Sequence, residues 1–102
     1  MAQRARILLP KEYLEQFCRR YHILRLSLFG SVLRDDFMST GDVDVLVEFD
    51  PGYKVGYLKI AHMENELSEA IGRKVDLRTP GDLSRYFRQD VMRNAEVHYA
   101  QG

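Results

Sequence analysis

Six acidic residues lie between positions 35 and 50 (Asp35, Asp36, Asp42, Asp44, Glu48 and Asp50), with no lysine or arginine among them. Two of these, Asp42 and Asp44, open an alternating apolar run, DVDVLVEF, over residues 42–49. On an extended strand, side chains two residues apart leave the same face, about 7 Å apart at the backbone. Carboxylates so placed repel each other unless a cation, a basic partner or a proton compensates. Their oxygens are hard ligands of the kind Mg²⁺ and Mn²⁺ prefer, with water and substrate phosphates completing the shell. An isolated Asp-x-Asp is more often the wet face of an edge strand, and most charge runs are solvated loops. The apolar strand around this pair makes that bland reading harder to hold.

A second feature precedes it. Gly30-Ser31 closes the run ILRLSLF at residues 23–29. A Gly-Ser pair at the end of a strand can offer backbone N–H groups and a hydroxyl to an anion, and glycine lets the main chain come close to a phosphate. Taken alone the pair is weak, since turns are rich in both residues.

The elements that must position these residues are readable in outline. A first helix is expected from about Pro10, with Leu14, Phe17, Cys18 and Tyr21 on one stripe. Residues 23–29 read as a strand, with a short helical turn expected through Val32-Leu33-Arg34. Residues 42–49 are the clearest strand: Val43, Val45, Val47 and Phe49 share one face, and Asp42, Asp44, Leu46 and Glu48 the other. A helix is expected over residues 56–72, burying Tyr57, Ile60, Met63, Leu67, Ala70 and Ile71 and stopping at Gly72. Arg73 to Thr79 reads as a short strand containing Asp76. From Asp82 to Ala100 the pattern predicts a helical turn and a final helix packing Val91, Met92, Ala95 and Tyr99. This order implies an α/β fold, a small mixed sheet flanked by helices.

The chain has 102 residues, 45% hydrophobic and 29% charged, which fits one globular domain over residues 1–102. Lys plus Arg and Asp plus Glu number 15 each, and this neutrality argues against a DNA-coating protein. The apolar run Ile7-Leu8-Leu9 is too short for a signal peptide or a membrane span. Cys18 is the one cysteine, so no internal disulfide forms and a cytoplasmic, reducing location is expected. His22, His62 and His98 show no zinc-type spacing with it.

The combination is more specific than its parts. Gly30-Ser31, ten intervening residues and Asp42-Val43-Asp44 read GSVLRDDFMSTGDVD. In this the chain resembles the DNA polymerase beta-like nucleotidyltransferases, and within them the minimal nucleotidyltransferases (MNT). FGSV at 29–32 is similar to that family's phosphate-binding turn, DVDVLVEF to its metal-binding strand, and KVDL at 74–77 to its strand carrying a third carboxylate, here Asp76. VMRNAEVHYA at 91–100 is similar to the family's closing helix. Leu33-Arg34-Asp35 stands where the family often has Ala-Arg-Gly, and Gly41-Asp42 where it often has Ser-Asp.

The resemblance implies nucleotidyl transfer with two Mg²⁺ or Mn²⁺ ions held by Asp42, Asp44 and Asp76, and ATP as the substrate. Gly30 and Ser31 would meet the β- and γ-phosphates, and Arg34 is a candidate triphosphate contact. Arg34 could equally be solvated, and Asp76 could be a salt-bridge partner of Lys74 or Arg78. The resemblance also implies a partner, a HEPN-type ribonuclease toxin, neutralised by AMP transfer to one of its tyrosines. Three alternatives stand beside it: neutralisation by occlusion, nucleotidylation of a small molecule, and nucleotide binding without transfer.

Overall fold

The computed structural model describes residues 10–30 and 42–101. In chain order it holds α1 (Lys11–Arg20), β1 (Ile23–Phe29), β2 (Val43–Phe49), α2 (Tyr57–Ile71) and β3 (Val75–Arg78), then α3 (Arg85–Asn94) and β4 (Glu96–Ala100). A 3-10 turn at Pro80–Asp82 links β3 to α3. The strands form one mixed sheet in the order β3-β2-β1-β4; β2 and β3 are parallel, and β1 is antiparallel to both β2 and β4. The α/β class with a small mixed sheet is therefore what forms. The helical turn expected at Val32–Arg34 lies outside the described residues.

Alternation builds the two faces of the sheet. On β2, Val43, Val45 and Val47 turn inward and are fully buried with Leu28 of β1, Leu77 of β3, Leu14 and Phe17 of α1, and Met63 and Leu67 of α2. Burying each larger apolar side chain contributes about 1.5–3 kcal/mol before chain entropy is counted. The opposite face carries Asp44 on β2 and, level with it, Asp76 on β3. Leu46 is buried although it stands on this second face, at 2% exposure, as is Ser27 across from it on β1.

Helix α2 ends where glycine allows it. Gly72 takes a left-handed conformation (φ 80) and its N–H donates to the Ser68 carbonyl. Two α2 side chains also cover the outer edge of β3: the Val75 N–H donates to Ser68 Oγ (3.0 Å) and the Leu77 N–H to Glu64 Oε2 (2.7 Å). Those amides would otherwise invite strand pairing from another chain. Tyr57 and Ala70, expected on the buried side of α2, are exposed, Tyr57 at 91%. The packed stripe of α2 is narrower than the sequence pattern suggested: Met63 and Leu67 with Ile60 and Ile71 at its margins.

The C-terminal expectation needs correction. The final helix stops at Asn94, Ala95 turns to extended backbone (ψ 141), and Glu96–Ala100 is a strand. Val91, Met92, Ala95 and Tyr99 therefore do not share one helix. Strand β4 pairs with the edge of β1, Tyr99 opposite Leu26, and Tyr99 packs against the core. Cross-strand pairing and burial, which local periodicity does not register, outweigh helix continuation here. Among the described residues no helix is long and apolar enough to cross a membrane.

Candidate active site

Strand register brings the expected carboxylates together. Asp44 lies between Phe29 on β1 and Asp76 on β3, its Cα partner on either side. Neighbouring strands stand about 4.8 Å apart, so Asp44 and Asp76 are immediate neighbours on the second face. Asp42 immediately precedes β2, and the adjoining Val43 N–H donates to the Lys74 carbonyl (2.8 Å). Its own carboxylate faces Lys74 Nζ at 3.9 Å. Both side chains of that pair are largely exposed, so the pairing adds little stability.

Gly30 follows Phe29 and is fixed by two constraints. Its φ of +76 is a conformation L side chains rarely adopt, and a Cβ built on it would overlap Oδ2 of Asp44 and lie 3.4 Å from Cγ. The sequence suggested that glycine is needed so a phosphate can approach. The structure adds that it is needed because the Asp44 carboxylate already fills that space. The turn and the acid are one packed unit.

Electrostatics mark Asp44 as the strained member of the group. Burial pushes its pKa up, the neighbouring charges of Asp76 and then Asp42 push it further, and Arg78 opposes them. The alternative salt bridge from Asp76 to Lys74 or Arg78 does not form: Lys74 faces Asp42 and Arg78 acts on Asp44, and no ion pair joins either to Asp76 among the described residues. The alternation Lys74-x-Asp76-x-Arg78, running into β3 from the residue before it, is the sequence signal that could have placed both cations on this face.

Do these residues fit a divalent metal? Among the described residues no three His, Cys, Asp or Glu side chains already converge as a metal cage. The three acids are neighbours around Asp44, not a closed site. Their chemistry nevertheless fits: all donors are carboxylate oxygens, they repel one another at Asp44, and a hard divalent cation relieves that repulsion. Ser31 and Arg34, the other expected nucleotide contacts, lie outside the described residues.

A separate cavity of about 850 Å³ opens at the far ends of β2 and β3. Phe49 and Leu77 line it with Tyr57 and Ile60 of α2, and Arg78 and Asp82 edge it. Its apolar lining belongs to the α2 side of the sheet, so it is distinct from the carboxylates; Arg78 alone is tied to both. Cys18 plays no part in either, since burial pushes its thiol up to about 12. Apolar side chains are also exposed elsewhere, notably Tyr86 and Phe87 of α3 at 79% and 65%.

Known proteins share this fold. Residues 10–98 match the family model described as "Nucleotidyltransferase domain". A provisionally named protein adenylyltransferase of Methanocaldococcus jannaschii is 30% identical over 76 residues, 74% of this chain and 80% of that one. The protein adenylyltransferase MntA of Thermococcus cleftensis is 31% identical over 80 residues, covering 78% of this chain and 77% of its own. A solved structure described as a minimal nucleotidyltransferase superposes with a TM-score of 0.68 at 30% identity, over 83% of this chain and 85% of that chain. Two more distant structures share the fold alone. One is a toxin–antitoxin with AMP-PNP (TM-score 0.73, 18% identity, 91% and 75% covered). The other is a tri-AMPylated Shewanella oneidensis HEPN toxin in complex with MNT antitoxin (TM-score 0.64, 17% identity, 89% and 70% covered). On a match that takes in every described strand except the last residues of β4, the chain belongs to the nucleotidyltransferase domain family and resembles its minimal members.

Proposed function

We propose that this chain is an antitoxin that transfers AMP from ATP to a tyrosine of a HEPN-type ribonuclease toxin in the cytoplasm and so neutralises it. The observation that carries the reading is Asp44 itself, set between the Gly30 turn and Asp76 with its charge opposed by both neighbouring acids. The protein adenylyltransferase relatives and the HEPN toxin–MNT antitoxin complex support the choice of acceptor.

Asp42, Asp44 and Asp76 would hold Mg²⁺ or Mn²⁺, two ions in all. Such ions neutralise charge on the phosphates and make the acceptor hydroxyl easier to deprotonate. The chain's own residues do the rest by placement. Gly30, whose missing side chain leaves room for the Asp44 carboxylate, would form the turn beside which the triphosphate lies, with Ser31 and Arg34 as its further contacts. Asp76, on the opposite flank of Asp44, sets the side from which the acceptor comes. The acceptor oxygen bonds to the α-phosphorus, the bond from that phosphorus to the bridging oxygen breaks, and pyrophosphate leaves with the electron pair. Holding the reactants in line in this way is worth several kcal/mol of barrier. A phenol suits this chemistry, since its unperturbed pKa near 10 lies well below that of an alkyl alcohol.

The exposed aromatic residues of α3 favour stable contact with a partner protein, so neutralisation by occlusion is the competing reading. Mass spectrometry of the HEPN-type partner after incubation with the chain, ATP and Mg²⁺ separates the two. We expect an AMP increment on a tyrosine that vanishes in Asp42→Asn plus Asp44→Asn. Neutralisation without any increment, retained in the double variant, would establish occlusion instead.

A further inference from the structure

Arg78, like Lys74, is a charged residue of the carboxylate face to which the mechanism above gives no work, and unlike Lys74 it has no carboxylate within ion-pair distance among the described residues. Strand register fixes where it stands. Rows of neighbours cross the second face of the sheet: Phe29, Asp44 and Asp76 form one row, and Ser27, Leu46 and Arg78 the next. Gly30, following Phe29, and Asp42, preceding β2, lie at the opposite end. Arg78 is therefore one step beyond the acids, on the side away from the phosphate turn. Its guanidinium acts on Asp44, yet it makes no ion pair within 4 Å among the described residues, and the residue is exposed. It also edges the 850 Å³ cavity at the ends of β2 and β3.

We propose that Arg78 contacts the acceptor, holding the hydroxyl-bearing segment of the partner at the junction between that cavity and the carboxylates. The proposal rests on the adenylyl-transfer reading above and adds a residue to it. An arginine stays protonated throughout, so it is not the base. As the acceptor oxygen bonds to the α-phosphorus and pyrophosphate departs, the hydroxyl proton passes to solvent. Arg78 donates to the oxygen as the proton leaves, stabilising the negative charge there before the new bond to phosphorus takes it up. The guanidinium also offsets the repulsion that the acids impose on an incoming phenolate. A residue on the triphosphate side would instead lie near Gly30, at the other end of the same face.

The test uses the full chain with Arg78→Gln, Arg78→Lys and Asp44→Asn. Adenylyl transfer to the purified HEPN-type partner is measured with partner and ATP varied in turn, and binding of AMP-PNP with Mg²⁺ is measured by calorimetry. For Arg78→Gln we expect kcat/KM for the partner to fall about 10- to 100-fold, the cost of one charge-assisted hydrogen bond. KM for ATP and AMP-PNP affinity should stay within about two-fold on the same grounds, and Arg78→Lys should recover part of the loss. AMP-PNP affinity falling in step with transfer would move Arg78 to the triphosphate and overturn the proposal. An unchanged partner titration in Arg78→Gln, with Asp44→Asn inactive, would overturn it while leaving the adenylyl-transfer reading intact. Transfer by Asp44→Asn at the wild-type rate, or none by wild type, would sink that reading and the proposal with it.

Discussion

The two faces of β2 are made by alternate residues of one seven-residue strand, and they act on the protein in opposite directions. Val43, Val45 and Val47 are buried under α1 and α2 and hold the sheet together. Asp44 faces the other way and is partly buried beside a second acid, and burial and the charges of Asp76 and Asp42 raise its pKa. One face contributes stability, and the other costs it. A cation bound beside a carboxylate that repels its neighbours would remove that repulsion. That is the physical meaning of placing function where packing is least comfortable.

The sharpest way to break this contrast is to neutralise Asp44. Asp44→Asn should lower adenylyl transfer by at least about 10³-fold, roughly 4 kcal/mol of barrier, measured as the initial rate of AMP incorporation. A fall of less than about ten-fold would mean that the face is not catalytic. Leu67→Ala probes the other face: removing a side chain that is 1% exposed should cost about 3 kcal/mol and lower Tm by about 12 °C. Nucleotide affinity measured well below that Tm should hold, and its loss would show the faces to be coupled.

Gly30→Ala tests the seam between the faces. The positive φ alone should cost about 1 kcal/mol, and the new Cβ must displace the Asp44 carboxylate. Urea unfolding should therefore show modest destabilisation while AMP-PNP affinity drops severely. Equal affinity in this variant would mean that the carboxylate can move aside freely.

The smallest expected effect is a gain. Without metal, Asp44→Asn should stabilise the protein by about 0.5–1 kcal/mol at pH 7, since it removes a half-buried like-charge contact. The sign with pH follows from the raised carboxyl pKa of Asp44. A raised acid costs stability in full above its folded pKa, and the cost disappears as pH falls toward the unfolded value near 3.9. Urea titrations at pH 7 and pH 4 should show the gain at the first and little at the second. A gain that is the same at both would point to packing, not charge.

The sequence made the carboxylate face legible because its signals are local. Alternation in DVDVLVEF sets which side chains share a face, and β1 runs from Ile23 to Phe29 as the pattern implied. Gly72 stops α2 for the reason its residue type suggested. What escaped depended on partners distant in the chain. Strand β4 exists because β1 had a free edge, and a stripe through Val91, Met92, Ala95 and Tyr99 mimicked helical spacing. Asn94, whose side chain donates to the Asp90 carbonyl, was a stop signal available beforehand. Tyr57 fitted the apolar stripe of α2, yet it falls beyond the reach of the core. The approach of Lys74 to Asp42 and the influence of Arg78 on Asp44 likewise needed the β2–β3 register, which no local pattern supplies.

The central claim is that Asp42 and Asp44 form a nucleotide-dependent metal site, and Mn²⁺ binding reads it most directly. The electron paramagnetic resonance signal of free Mn²⁺ is followed as the chain is titrated with AMP-PNP present, against a control of AMP-PNP alone. We expect the wild-type chain to remove free Mn²⁺ beyond that control and the Asp42→Asn plus Asp44→Asn variant to match it. Undiminished Mn²⁺ uptake by the folded double variant would contradict the assignment of these acids.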